Sequence, residues 1–225
     1  MGIEAGNIQA ILFDIDGTLS DSDDLLIKNI ERLIKPLTFY LSSKKRYSLS
    51  RWLVMTAESP GNYIYNLADR FDLDSLFIKI LNERSLKKKH HIKEYWMVPG
   101  SKVLLNQLSD RFSLGVISAR DEPSTMAFLN QFRIKEYFGI VVTSQTCRYT
   151  KPFPAPMLFA AKALGVDPRQ CLMVGDTTVD MKAAKLAGMQ AVGVLCGFGH
   201  EKELRRAGAD MILRTTADLF KLFES

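Results

Sequence analysis

Residues 8–19 of the chain are IQAILFDIDGTL, an apolar run that ends in two carboxylates. The carboxylates, Asp14 and Asp16, stand two residues apart and are followed by Gly-Thr. A short apolar run bounded by turn residues is typical of a buried strand. Side chains just after such a strand face the crevice where open parallel sheets bind ligands. We therefore expect a strand over 9–13, with both carboxylates at its ligand-binding end.

Similar apolar runs recur along the chain, with helical patterns between them. Strands are predicted over 113–117, 140–143, 171–174, 191–194 and 211–213, and helices over 101–111, 156–164, 177–187, 201–207 and 217–223. Strands that alternate with helices indicate right-handed βαβ units and a parallel sheet. The predicted fold class is α/β, a three-layer α/β/α Rossmann-like core.

The segment 20–97 breaks this alternation. It has no clear strand run, and apolar residues such as Leu26, Ile30 and Leu33 stand near helical spacing. It holds 14 Lys and Arg against 10 Asp and Glu, so most of the chain's net charge of +5 lies there. We expect a core made of 1–19 and 98–225, with a helical domain inserted over 20–97.

The composition is that of an ordinary globular protein. Of the 225 residues, 47% are hydrophobic and 24% charged, which excludes a disordered chain, a collagen-like fibre and a long coiled coil. No long uncharged apolar stretch or signal core is visible, so no membrane association is expected. Three widely spaced cysteines fit reduced thiols and a cytoplasmic location. The positive excess is too mild to indicate nucleic-acid binding.

A second acidic motif, GDTTVD at 175–180, follows the predicted strand 171–174. It places Asp176 at the strand end and Asp180 one helical turn further on. Mg²⁺ prefers oxygen ligands and is usually held by one or two carboxylates together with substrate phosphate. The alternative is an N-cap and an ordinary acid of the first helical turn. A second acidic strand end in one sheet favours the metal site.

Two weaker signals accompany these motifs. Ser118 follows the strand 113–117, where a hydroxyl and the next backbone N–H groups suit a phosphoryl oxygen, although serine is also a common helix cap. Lys151 precedes Pro152, where an ammonium suits a phosphoryl group, although a lysine before proline is commonly a solvated loop residue.

In this order and spacing, the four motifs resemble the haloacid dehalogenase-like hydrolase superfamily. The resemblance covers about 8–20 and 98–215. The segments 14–22, 99–100, 151–154 and 175–188 are most similar to the branch of phosphoglycolate phosphatase and β-phosphoglucomutase. Membership of that branch implies that 20–97 is a helical cap that closes over the site.

The resemblance also implies roles for the acidic residues. Asp14 would be the nucleophile that forms an aspartyl-phosphate, and Asp16 the acid that protonates the leaving oxygen and then the base for water. A Mg²⁺ cofactor would be held by Asp14, Asp176 and the backbone carbonyl of Asp16. Asp180 would support the metal ligands without binding the cation itself.

The same resemblance assigns the phosphoryl contacts. They are carried over to Thr18, Ser118, the backbone of Ala119, and Lys151. The branch often has Asn where this chain has Ala119. Arg120 then has two interpretations, a grip on a substrate anion or an exposed helix-start residue paired with Asp121 or Glu122.

The resulting function prediction is a Mg²⁺-dependent phosphatase acting on a small phosphorylated metabolite. Asp16 favours phosphate-ester chemistry over dehalogenation, because only the ester releases an alkoxide that needs a proton. Phosphoglycolate or a sugar phosphate is the expected substrate class. A sugar phosphomutase and a non-catalytic binding protein remain alternatives, and the oligomeric state, monomer or homodimer, stays open.

Overall fold

The structure, a computed structural model, describes residues 2–21 and 95–224. Its described part contains one sheet of six parallel strands, which confirms the predicted α/β class. The strands are β1 (Ala10–Phe13), β2 (Ser113–Ile117), β3 (Phe138–Val142), β4 (Cys171–Gly175), β5 (Gln190–Val194) and β6 (Met211–Leu213). Their order across the sheet is β3-β2-β1-β4-β5-β6.

Helices cover both faces of this sheet. They are α1 (Ser101–Ser109), α2 (Glu122–Gln131), α3 (Ala155–Leu164), α4 (Thr178–Leu186) and α5 (Glu201–Arg206). A 3₁₀ helix, Thr216–Phe223, packs against α1 near the end of the chain. The described part therefore has the three predicted layers.

The side chains of β1 show how the layers are held together. Ile11 and Phe13 join an apolar cluster with α1 and α2 on one face, while Ala10 and Leu12 join a second cluster with α3 and α4 on the other. All four are fully buried. A strand buried on both faces lacks the polar alternation of an edge strand, which is why the whole run is apolar.

Element bounds differ from the sequence prediction where local hydrogen bonds intervene. Strand β3 begins two residues early, at Phe138, which pairs with Leu114, and it ends before Thr143, whose N–H donates to the Thr146 hydroxyl. Helix α1 ends at Ser109 because the following chain tightens, with Arg111 N–H donating to Leu108 C=O.

The first strand leads into a tight turn at its carboxyl end. Gly17 has a φ of +74°, which glycine adopts without strain, and its N–H donates to Ser20 C=O. Ser20 then forms a bridge with Met97. Residues 22–94, which make up nearly all of the predicted helical cap, lie outside the described residues. Among the residues that are described, no helix is long and apolar enough to span a bilayer.

Candidate active site

The site is built at the carboxyl end of β1, beside β4. Asp14 directly follows β1, and its N–H donates to the Val174 carbonyl of β4 at 3.0 Å. The strand order reverses between these two strands, which is where doubly wound sheets form a ligand crevice. The Asp14 carboxylate is nearly buried, and burial raises its pKa to about 7, although Lys151 acts in the opposite direction.

Lys151 lies in the connection from β3 to α3 and reaches into this crevice. Its Nζ donates to Asp14 Oδ1 and Asp180 Oδ1, both at 2.6 Å. The side chain is 6% exposed, so the solvated-loop interpretation is wrong for this residue. Burial alone would lower the Lys151 pKa, but the two carboxylates outweigh it and hold that pKa above the ordinary value for lysine. Lys151 therefore stays charged beside Asp14.

Asp180 is oriented by the start of α4. One oxygen, Oδ2, accepts from Thr177 N–H at 3.1 Å and from Thr177 Oγ1 at 2.5 Å, which completes a capping box. The other, Oδ1, accepts from Lys151. Thr177, rather than an aspartate, is the N-cap residue. Asp180 thus fixes Lys151 to a helix terminus.

Asp176 is held from two sides at the end of β4. Its Oδ2 accepts from Phe198 N–H at 2.7 Å, and Thr18 Oγ1 donates to its Oδ1 at 3.4 Å. The loop 195–200 can approach this closely because Gly197 and Gly199 lack side chains: a Cβ on either would overlap Asp176. Thr18, predicted to contact phosphate, is fully buried with its hydroxyl against Asp176.

Asp16 lies apart from this buried cluster. Its carboxylate accepts from Arg120 Nε at 2.8 Å and from Arg120 Nη2 at 2.5 Å. On the neighbouring strand end, the buried Ser118 hydroxyl accepts from Arg120 N–H at 3.1 Å, and Ala119 is exposed. Arg120 is 13% exposed, so the interpretation of an exposed helix-start residue is wrong.

The acidic cluster fits a divalent cation. Asp14, Asp176 and Asp180 each offer an oxygen, and these oxygens all lie within 4.8 Å of one another. Lys151 contributes one positive charge against these three buried carboxylates. Carboxylate oxygens are the ligands that Mg²⁺ takes. Lys151 lies within hydrogen-bond distance of both Asp14 and Asp180, so Asp180 acts on the rest of the cluster through Lys151.

Sequence reasoning placed the acidic residues on the correct strand ends but missed their supports. The Arg120 fork, the Phe198 amide and the Thr177 hydroxyl were not among the predicted site residues. The two glycines that flank Phe198 carried a usable signal, because glycines just after a strand often permit close backbone approach. Nothing in the local sequence marks Arg120 as a partner of Asp16, 104 residues away.

Comparisons with known proteins give matches over most of the chain. Residues 11–194 match the family described as haloacid dehalogenase-like hydrolase. A phosphoglycolate phosphatase of Nitrosococcus oceani is 29% identical over 226 residues, covering 95% of this chain and 96% of the relative. The pyrophosphatase PpaX of Bacillus pumilus is 26% identical over 219 residues, covering 96% of each. A hydrolase structure from Pseudomonas syringae superposes with a TM-score of 0.69 at 24% identity, covering 96% of this chain and 98% of that one, which shows the shared fold.

Proposed function

Since this chain belongs to the haloacid dehalogenase-like hydrolase family and is a phosphatase like its curated relatives, we propose that it hydrolyses a small phosphorylated metabolite through an aspartyl-phosphate on Asp14. The observation that carries the proposal is the buried Asp14–Lys151 pair at the carboxyl end of β1. A carboxylate nucleophile needs a nearby cation to meet an anionic phosphoryl group, and Lys151 supplies one.

The reaction divides into two steps on this chain's own residues. In the first, an Asp14 oxygen bonds to phosphorus, the bond to the leaving oxygen breaks, and Asp16 gives that oxygen its proton. In the second, Asp16 takes a proton from water, and the water oxygen displaces Asp14 from phosphorus. The Ser118 hydroxyl and the Ala119 N–H, at the end of the neighbouring strand, hold the phosphoryl oxygens.

Mg²⁺ is the proposed cofactor. Asp14, Asp176 and the Asp16 carbonyl would hold it, and Asp180 would support the cluster through Lys151. When bound, the cation neutralises charge on the phosphoryl oxygens. The protein prepares for it by fixing Asp176 with Thr18 and Phe198 before any substrate arrives.

Support for the proposed substrate class comes from the names of the relatives. The relatives are named for an ester, phosphoglycolate, and for pyrophosphate, both small anions.

We extend the proposal to a helical cap over 20–97 that closes on such a substrate. The cap proposal is supported by a contact between the two ends of this segment. Asp21 N–H donates to Trp96 C=O at 2.8 Å, so the segment leaves and re-enters the core at one place.

The test is phosphate release from a panel of phosphoglycolate, pyrophosphate, sugar phosphates, nucleotides and an aryl phosphate, with and without Mg²⁺. Asp14→Asn is expected to fall below detection, and Asp167→Asn, at an exposed turn far from the site, to match the parent. Equal rates in Asp14→Asn and the parent would overturn the nucleophile assignment. Slow phosphate release, with isomerisation of a sugar phosphate only in the presence of a bisphosphate primer, would instead establish a phosphomutase.

A further inference from the structure

Arg120 forms a two-pronged contact with Asp16. Nε donates to Oδ2 at 2.8 Å and Nη2 to Oδ1 at 2.5 Å, so each carboxylate oxygen accepts one bond from the same planar group. Such a fork fixes the plane of a carboxylate as well as its position. A single ammonium has no equivalent geometry.

The guanidinium is itself held in place by packing. It stacks near the Tyr95 ring, with 4.9 Å from Cζ to the ring centroid, and near the Phe128 ring at 5.5 Å. Nη2 also donates to Ser20 Oγ at 3.4 Å. The two rings, which pack edge to face at 5.8 Å, come from the end of the inserted segment and from α2. Arg120 is therefore preorganised, and little side-chain freedom remains to be lost when it binds Asp16.

Asp16 is the more accessible member of this pair. The Asp16 side chain is 25% exposed, against 13% for Arg120, so the acid retains access from solvent while its partner is mostly enclosed.

We propose that Arg120 is a positioning residue that aligns Asp16 for proton transfer to the leaving oxygen. The inference rests on the proposed phosphatase function, and it assigns Arg120 a partner other than the substrate anion. Alignment of this kind matters, because a misplacement of about 1 Å can reduce a rate by about 10²-fold.

The poorer a leaving group is, the more its departure depends on a proton donor. An alkoxide from glycerol phosphate needs the proton, whereas para-nitrophenolate leaves without one. Loss of Asp16 alignment should therefore slow the alkyl ester far more than the aryl ester. A general loss of structure would slow both equally.

The experiment compares Arg120→Met with Arg120→Lys and the parent in single-turnover release of both leaving groups. Both variants are expected to release glycerol about 10²-fold more slowly, in line with the usual contribution of general acid catalysis, and to release nitrophenolate within a few-fold of the parent. Arg111→Met is the matched control, because Arg111 also stacks on two rings, Phe112 and Phe223, but at a position remote from the site. It is expected to change neither rate.

If both esters are slowed equally, or neither is slowed, the inference about Arg120 is overturned. The proposed phosphatase function is not affected by either result. Full recovery of glycerol release in Arg120→Lys also overturns the inference about Arg120, since charge alone would then suffice. If Arg120→Met does not fold, Arg120→Lys still decides by the same ratio of rates. A parent that releases phosphate from no ester removes the proposed function, and this inference falls with it.

Discussion

The Lys151 ammonium is shared by two buried carboxylates, Asp14 and Asp180, and its removal would leave both without that cation. Breaking a buried ion pair from one side typically costs about 3–5 kcal/mol, because the remaining charge stays desolvated. We expect Lys151→Met to lower the free energy of unfolding by that amount, measured by urea denaturation.

The matched control for this change is Lys185→Met. Lys185 also contacts a carboxylate through two short bonds, to Asp210 at 2.8 and 2.9 Å, but it lies near the surface. Exposed pairs contribute about 1 kcal/mol or less. An equally small loss in both variants would show that burial of the Lys151 pair carries no special cost.

Asp180 offers a second test, because the chain repeats its local arrangement elsewhere. Thr215 and Asp218 form the same capping box, and Asp218 likewise accepts from a lysine, Lys221. That lysine is exposed, whereas Lys151 reaches Asp14. Asp180→Asn is therefore expected to lower kcat for phosphate release by tenfold or more, about what loss of a supporting contact costs.

Asp218→Asn removes a cap of the same kind without touching the site. It is expected to keep the parent kcat and to lose about 1 kcal/mol of stability. Similar kcat values for the two variants would mean that Asp180 acts as a helix cap alone, and the proposed support of Lys151 would be abandoned.

The sequence could identify those site residues that directly follow a recognisable element, such as a buried strand. Asp14 and Asp176 each follow an apolar run, so strand polarity alone predicts that they meet at one edge. Arg120 could not be assigned, because its partner depends on where Tyr95 and Phe128 pack around it. The roles of the site residues remain predictions until the variants are measured.

Among the elements, the loop after β5 has the clearest effect on the site. Its Phe198 N–H donates to Asp176, and a Cβ at Gly197 would overlap the same carboxylate and the Gly17 carbonyl. We expect Gly197→Ala to displace the loop and weaken Mg²⁺ binding by about tenfold or more, as the loss of outer contacts to a metal ligand typically does. Calorimetric titration of Mg²⁺ measures this directly.

The control for the loop is Gly6→Ala. Gly6 has open space where a Cβ would stand, so Mg²⁺ binding should match the parent. Unchanged affinity in Gly197→Ala would show that the loop gives way without moving Asp176, and its assigned role would be wrong.

Element types, apart from the helix α2 that the sequence analysis did not predict, were more predictable than element ends. Apolar runs predicted every strand of the described sheet, and the runs at β1 and β4 are continuous because those strands are buried on both faces. The ends depended on individual hydrogen bonds, such as the Thr143 N–H that turns to Thr146 and ends β3. The last predicted helix, 217–223, is a 3₁₀ helix, in which Asp218 N–H donates to Thr215 C=O three residues back.

At the scale of the whole molecule, the division into a core and an insertion stays a prediction with a structural rationale. Among the described residues, both apolar clusters combine side chains from the two parts of the chain that flank 22–94. Leu19 and Val98, where the chain leaves and returns, are buried in the core, and Val98 N–H donates to Leu19 C=O at 2.9 Å. The two points where the chain leaves and re-enters the core are therefore hydrogen-bonded to each other.

We expect a chain in which a short Gly-Ser linker replaces 22–94 to fold cooperatively, because the linker has only to join two segments that already meet in the β-bridge between Ser20 and Met97. Calorimetry and circular dichroism should show a single transition and α/β content. A second deletion, of 19–98, also removes the buried Leu19 and Val98, and it should lose several kcal/mol more, since each buried apolar side chain contributes about 1.5–3 kcal/mol. If the first deletion instead fails to fold, the core needs contacts from the inserted segment, and the two-domain division is wrong.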